Sequence, residues 1–69
     1  MSERVARVSE VISGSSVSFD DAIKKGLKRA TSTLRNIVGL KVKEFRIHVE
    51  DGEIEEYRVN MDIIFLLEE

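Results

Sequence analysis

The apolar positions change period along the chain. Val5 to Ile12 (VARVSEVI) is short and rich in β-branched residues, which predicts a first strand. Ser13 to Ser18 (SGSSVS) has the composition of a loop. Apolar residues then fall at Phe19, Ile23, Leu27, Ala30 and Leu34, one face of an α-helix reaching about Asn36. Ser18 suits the N-cap of this helix, with Asp21 three residues on as the carboxylate of a capping box. Asp20 and Asp21 also put negative charge where the helix dipole favours it. Ala22, Gly26 and Ala30 make a line of small residues beside the apolar face. A mid-helix glycine costs about 1 kcal/mol against alanine. The expected compensation is close approach of another backbone, such as that of a neighbouring subunit.

Gly39 stands where helix gives way to strand, and glycine just past a helix end takes the left-handed conformation without penalty. From Leu40 to Val49 the pattern alternates but changes phase: Leu40 and Val42 share one parity, Phe45, Ile47 and Val49 the other. One β-bulge near Lys43–Glu44 reconciles the halves. Glu50 to Glu53 (EDGE) supplies the Asp-Gly turn of a tight hairpin. Tyr57, Val59, Met61, Ile63, Phe65 and Leu67 then alternate in a long last strand. Its other face is polar at Arg58, Asn60 and Asp62 and apolar at Ile64 and Leu66. One helix covers one face of a sheet, so Ile64 and Leu66 are expected to meet another subunit. The expected fold is α+β, a single domain over residues 1–69 in the order β-α-β-β, with a three-stranded antiparallel sheet wrapped around one helix.

Composition sharpens the case for assembly. A chain of 69 residues buries only about 60% of its unfolded surface and needs a staple. It has no cysteine, which removes disulfides and thiolate zinc sites, and a single histidine, His48, which removes an all-histidine metal site within one chain. Oligomerisation remains. The net charge of -2 gives no electrostatic case for nucleic acid. The N-terminal segment has no apolar core of signal-peptide length and no run approaches a membrane span, so the expected location is the cytoplasm. Lys24, Lys25, Lys28, Arg29 and Arg35 gather opposite the helix's apolar face. They form either a basic patch for an anionic partner or a solvated face with cations toward its C-terminal half.

No catalytic residues are expected. The serines cluster in a loop, and His48 sits mid-strand, where a structural or surface role is expected. Glu50, Asp51, Glu53, Glu55 and Glu56 could attract a hard cation, but they lack the spacing of a dedicated calcium loop. The segment SGSS lacks the context of a phosphate-binding loop.

The segments TSTLRNIVGLKVKEFR and EYRVNMDIIFLLEE, with the serine-rich loop and the DDAIKKGLKRA helix before them, resemble the dodecin family. The resemblance covers nearly the whole chain from Val5 onward. It implies a subunit of β-α-β-β order, twelve copies of which form a hollow shell that binds and sequesters flavins such as FMN or riboflavin without being an enzyme. In flavin-binding members an aromatic residue, typically tryptophan, stacks on the ring at the helix-to-strand junction, and a glutamine early in the last strand hydrogen-bonds it. Those places fall here on Gly39 and Arg58. The resemblance makes Gly39, Arg58 and Asn60 the candidate ligand-binding residues. Its alternative is a scaffold without flavin that binds calcium or magnesium, with Asp51, Glu53 and Asp62 as candidate ligands, or that is purely structural.

Overall fold

The computed structural model describes residues 4–67; the ends of the 1–69 span, residues 1–3 and 68–69, lie outside the described residues. The described residues form β1 (Ala6–Ser15), α1 (Phe19–Thr31), β2 (Ile37–Glu50) and β3 (Glu53–Leu66). β3 is central in an antiparallel sheet of order β1-β3-β2, so the β-α-β-β expectation holds.

β1 runs three residues further than its composition suggests. Ser13, Gly14 and Ser15 continue the ladder opposite Val59, Arg58 and Tyr57 because the long β3 offers them backbone partners. Ser15, at the strand's end, is buried and organises the entry to the helix. Its hydroxyl donates to Asp21 Oδ2 at 2.6 Å and accepts from the Val17 N–H at 2.9 Å. The N-cap is Ser18, whose Oγ accepts from the Asp21 N–H at 2.9 Å. Only half of the expected capping box forms, because the Asp21 carboxylate is taken by Ser15.

The Ser15 hydroxyl, followed by Lys25, holds the Asp21 carboxyl below the usual carboxylate range. A carboxyl lowered in the folded state contributes stability above its unfolded pKa and loses it as pH falls through the folded value. Ser15→Ala is therefore expected to lower stability at pH 7 and to flatten the loss of stability below about pH 4. Urea midpoints at both pH values check this, and an unchanged acid limb would remove Asp21 as a source of acid sensitivity.

The helix ends at Thr31, short of the Asn36 expected from the apolar spacing. Three consecutive hydroxyl residues end it by bonding back to the last turn. Thr31 Oγ1 donates to the Lys28 carbonyl at 2.7 Å, Ser32 Oγ to that of Arg29 at 2.6 Å and Thr33 Oγ1 to that of Ala30 at 3.4 Å. Leu34, beyond the helix, still packs against the core. Gly39 is not the helix terminator. It lies within β2, and the left-handed residue of the connection is Asn36, with φ 61°. At the hairpin tip Asp51 (φ 50°) and Gly52 (φ 78°) make the expected tight turn.

The core lies between α1 and the odd-numbered side chains of β3. Val59, Met61 and Ile63 are fully buried against Ala22, Ala30 and the helix's apolar face. The small-residue line of α1 is the closest approach. A Cβ at Gly26 would collide with Met61 Cε and stand 3.1 Å from Ser13 Cβ, so the compensation for this glycine is the chain's own sheet. Phe19 anchors the start of α1 edge-on against Phe45 and Tyr57, with ring centroids 5.0 and 5.2 Å apart.

Helix and sheet differ greatly in length. Thirteen helical residues span about 20 Å, whereas the fourteen residues of β2 or β3 span about 46 Å. The molecule measures 56 × 20 × 14 Å, and its radius of gyration of 14.5 Å exceeds the roughly 11 Å of a compact chain this size. The hairpin end therefore leaves the helix behind. Ile47, Val49 and Ile54 are exposed there, and Phe45 beside them is covered only along the edge that meets Phe19, which leaves an apolar surface on a chain with a small core.

Candidate functional site

The even-numbered side chains of β3 point away from the helix, onto the outer face of the sheet. Cross-strand register builds this face in rungs: Gly14–Arg58–Arg46, Ile12–Asn60–Glu44 and Glu10–Asp62–Lys41. β2 reaches this register through three irregularities. The one between Val42 and Glu44 is the bulge expected from the phase change; those at Ile37/Gly39 and His48/Val49 leave no trace in the parity of the sequence.

The Val42/Glu44 bulge frees Lys43 to bind across the sheet. Its Nζ donates to Glu10 Oε2 at 2.8 Å and lies 3.9 Å from Asp62 Oδ1. The Lys43 hydrogen bond, assisted by the Asn60 amide, holds the Glu10 carboxyl below its usual range. The Glu10 bond and the Asp62 charge in turn raise the Lys43 ammonium. This cluster ties β1, β3 and β2 together.

Two rungs along from Asp62 sit Arg58 and Arg46, directly opposite each other. Like charges so placed destabilise a sheet. Each guanidinium is relieved by a carboxylate two residues before it on its own strand. Arg58 Nε donates to Glu56 Oε1, and Arg46 Nη2 lies 3.5 Å from Glu44 Oε1. Ile12, Glu44, Arg46, Arg58 and Asn60 line a recess of about 240 Å³. Asn60 Oδ1 is buried there without a hydrogen-bond partner among the described residues. A buried acceptor in that state is uncommon in folded proteins.

The three candidate ligand-binding residues divide. Arg58 and Asn60 share the recess. Gly39 is on the same face but opposite Ile64, four residues along β3 from Asn60, or about 13 Å. Gly39 has room for a side chain: an added Cβ would meet Ile64 Cδ1 at 3.5 Å, an ordinary contact. The candidate metal ligands also divide. Asp51 lies in the turn and Glu53 opens β3 just after it, whereas Asp62 is nine residues along β3 from Glu53 and faces Lys43. Among the described residues no three His, Asp or Glu side chains converge on one point.

Of the helical cations, Lys24 and Lys25 pair with Asp20 and Asp21 at 3.2 and 3.1 Å, as on a solvated helix face. Arg46, Ile12 and Gly14, which complete the recess and its surroundings, are missed by the sequence reading. The phase change at Lys43–Glu44 is the signal that could have brought Arg46 to Arg58's face.

The sequence pattern of the dodecin family matches residues 5–68. The dodecin of Thermus thermophilus is 33% identical over 66 residues, covering 96% of each chain. The structure of dodecin from Streptomyces coelicolor superposes with a TM-score of 0.93 at 35% identity, over 100% of this chain and 99% of that one. The calcium-chelating dodecin of Mycobacterium tuberculosis, which has a calcium-binding site of its own, gives 0.81 at 26% identity, over 93% and 91% of the two chains.

Proposed function

The chain belongs to the dodecin family, and from that premise we propose that it assembles in the cytoplasm into a hollow homododecamer that sequesters a small flavin-type ligand without turning it over. The recess on the outer face carries this reading. Arg46 and Arg58 bring donors, Asn60 brings an acceptor left without a partner, and Ile12 brings an apolar wall. A flavin, with an apolar ring bearing carbonyl oxygens and an N–H, meets all three. At about 240 Å³ the recess is smaller than a complete small-molecule site, so a neighbouring copy supplies the remaining wall. Gly39, on the same face, leaves open the place that the family resemblance gives to a stacking ring.

Titration with riboflavin is expected to quench its fluorescence at micromolar protein; a lack of quenching would sink the flavin reading. Gly39→Trp sharpens the test. A Cβ added at Gly39 meets only ordinary contact with Ile64, so the backbone there admits a side chain. Stacking of an aromatic on a base is worth roughly 1–3 kcal/mol, so riboflavin is expected to bind roughly 5- to 150-fold more tightly. No gain would place the ligand away from Gly39.

The likeness to the calcium-chelating dodecin favours a second reading, in which the same shell binds calcium or magnesium through Asp51, Glu53 and Asp62. Their separation within one protomer requires that ligands from different copies meet. Calorimetry with either cation on the metal-stripped assembly tests it, and an absence of heat counts against it.

A further inference from the structure

An exposed stripe running to the C-cap of α1 carries Lys25, Lys28, Arg29 and Ser32, neighbours one helical turn apart. They line a recess of about 310 Å³ with no carboxylate in its wall. Lys25 pairs with Asp21, but Lys28 and Arg29 have no carboxylate within 4 Å among the described residues.

The hairpin tip has the opposite excess. Glu50 and Glu53 face each other across its last rung, with Asp51 in the turn between them. Like charges so placed destabilise a sheet. The facing arginines Arg46 and Arg58 are each relieved by a carboxylate of their own strand, whereas this acidic rung lacks a permanent cation. Glu50 has His48 at 3.9 Å, which is charged only when protonated. Asp51 and Glu53 have no basic group within 4 Å among the described residues.

The two surfaces cannot meet within one chain. Phe19 packs on Tyr57, four residues along β3 from Glu53, so the tip projects about 13 Å beyond the start of the helix. α1 runs the other way, toward the end of the sheet where the Leu66 N–H donates to the Asn36 carbonyl. Arg29 is ten residues on from Phe19, about 15 Å further off.

We propose that the acidic hairpin tip of one copy docks on the basic stripe of α1 in a second copy. This rests on the assembly reading and adds the charged contact that orients one copy on the next. The dimensions agree: the strands of the tip stand about 5 Å apart, and Lys25 and Arg29, or Lys28 and Ser32, are one turn apart, about 6 Å. Lys28 and Arg29 meet Glu50 and Glu53, and the repulsion across the acidic rung is removed. Such a contact is head-to-tail, so it propagates from copy to copy and closes into a ring within a finite shell.

A charge swap followed by sedimentation equilibrium tests the contact. Reversing the stripe (Lys28→Glu with Arg29→Glu) and reversing the tip (Glu50→Lys with Glu53→Lys) are each expected to raise the concentration needed for assembly at least about tenfold, since like charges brought together in an interface cost several kcal/mol. All four substitutions in one chain are expected to restore assembly, which a merely misfolded variant would not do. Raising salt from about 0.1 to about 1 M is expected to weaken the wild-type assembly and to help each reversed variant, because charges are then screened within about 3 Å. Reversals that leave the assembled mass unchanged would overturn the contact while the assembly reading stands. Loss of assembly on reversing the tip but not the stripe seats the tip elsewhere and also overturns it, as does a combined variant that assembles no better than either pair. A wild-type chain that stays at 7.9 kDa at low salt would remove the assembly and the contact together.

Discussion

Ile47→Asp is expected to abolish the proposed assembly, leaving free chains of 7.9 kDa that lack a cooperative thermal transition. Ile47 lies toward the hairpin end of β2, opposite Tyr57, and is 41% exposed in the protomer. On a monomer that position would tolerate a charge, because surface substitutions away from special features change stability by only about 0.5 kcal/mol. In a shell, where neighbouring copies bury the hairpin end, the same change places an unpaired carboxylate in an apolar contact. That costs several kcal/mol per copy, repeated at every equivalent interface. Arg35→Gln, at an exposed residue of the connection, serves as the control and leaves the mass unchanged. An Ile47→Asp protein of wild-type mass and stability would mean that the hairpin end faces solvent.

Gly26→Val has the next largest expected effect. Met61 is fully buried, so its methyl group has no solvent to retreat into when a side chain appears at Gly26. Overpacking of this kind costs about 1–3 kcal/mol, and the modest gain in helix propensity does not offset it. Met61→Ala alone is expected to cost about 2–5 kcal/mol through the cavity it leaves. Combined, the two substitutions relieve each other, with a coupling of about 1–2 kcal/mol expected for residues in direct contact. Ser13 Cβ, 3.1 Å from where the new Cβ would stand, keeps the rescue incomplete. Urea midpoints at one fixed protein concentration measure the cycle, since the proposed assembly would make the midpoint depend on concentration. Strict additivity would contradict the contact between Gly26 and Met61.

Both results probe features that the sequence disclosed unevenly. The apolar face of α1, the Asp51-Gly52 turn, the phase change at Lys43–Glu44 and the alternation of β3 follow from side-chain periods, which are local and survive without knowledge of neighbours. The end of α1 does not. Thr31, Ser32 and Thr33 are compatible with helix in isolation, and only their hydroxyl bonds to the last carbonyls close it. Ser13 to Ser15 read as loop because their strand conformation is imposed by β3; Ser13 is small where Gly26 of the helix comes close, and residue 14 is a glycine where Glu56 lies. In the recess, parity alone put Arg58 and Asn60 on one face of the last strand, and the family resemblance made them candidates. Arg46 and Gly14 were not legible, because a rung across three strands depends on the sum of every register shift along it.

The central claim is that one chain is an incomplete unit, with its apolar hairpin end and its recess both finished by other copies. Sedimentation equilibrium of the wild-type protein at micromolar concentration tests it most directly. Twelve copies of a 7.9 kDa chain give a particle of about 95 kDa, and that single mass is the expected result. A stable, folded species of 7.9 kDa would contradict the claim, since its exposed Phe45, Ile47, Val49 and Ile54 would then have to be compatible with water.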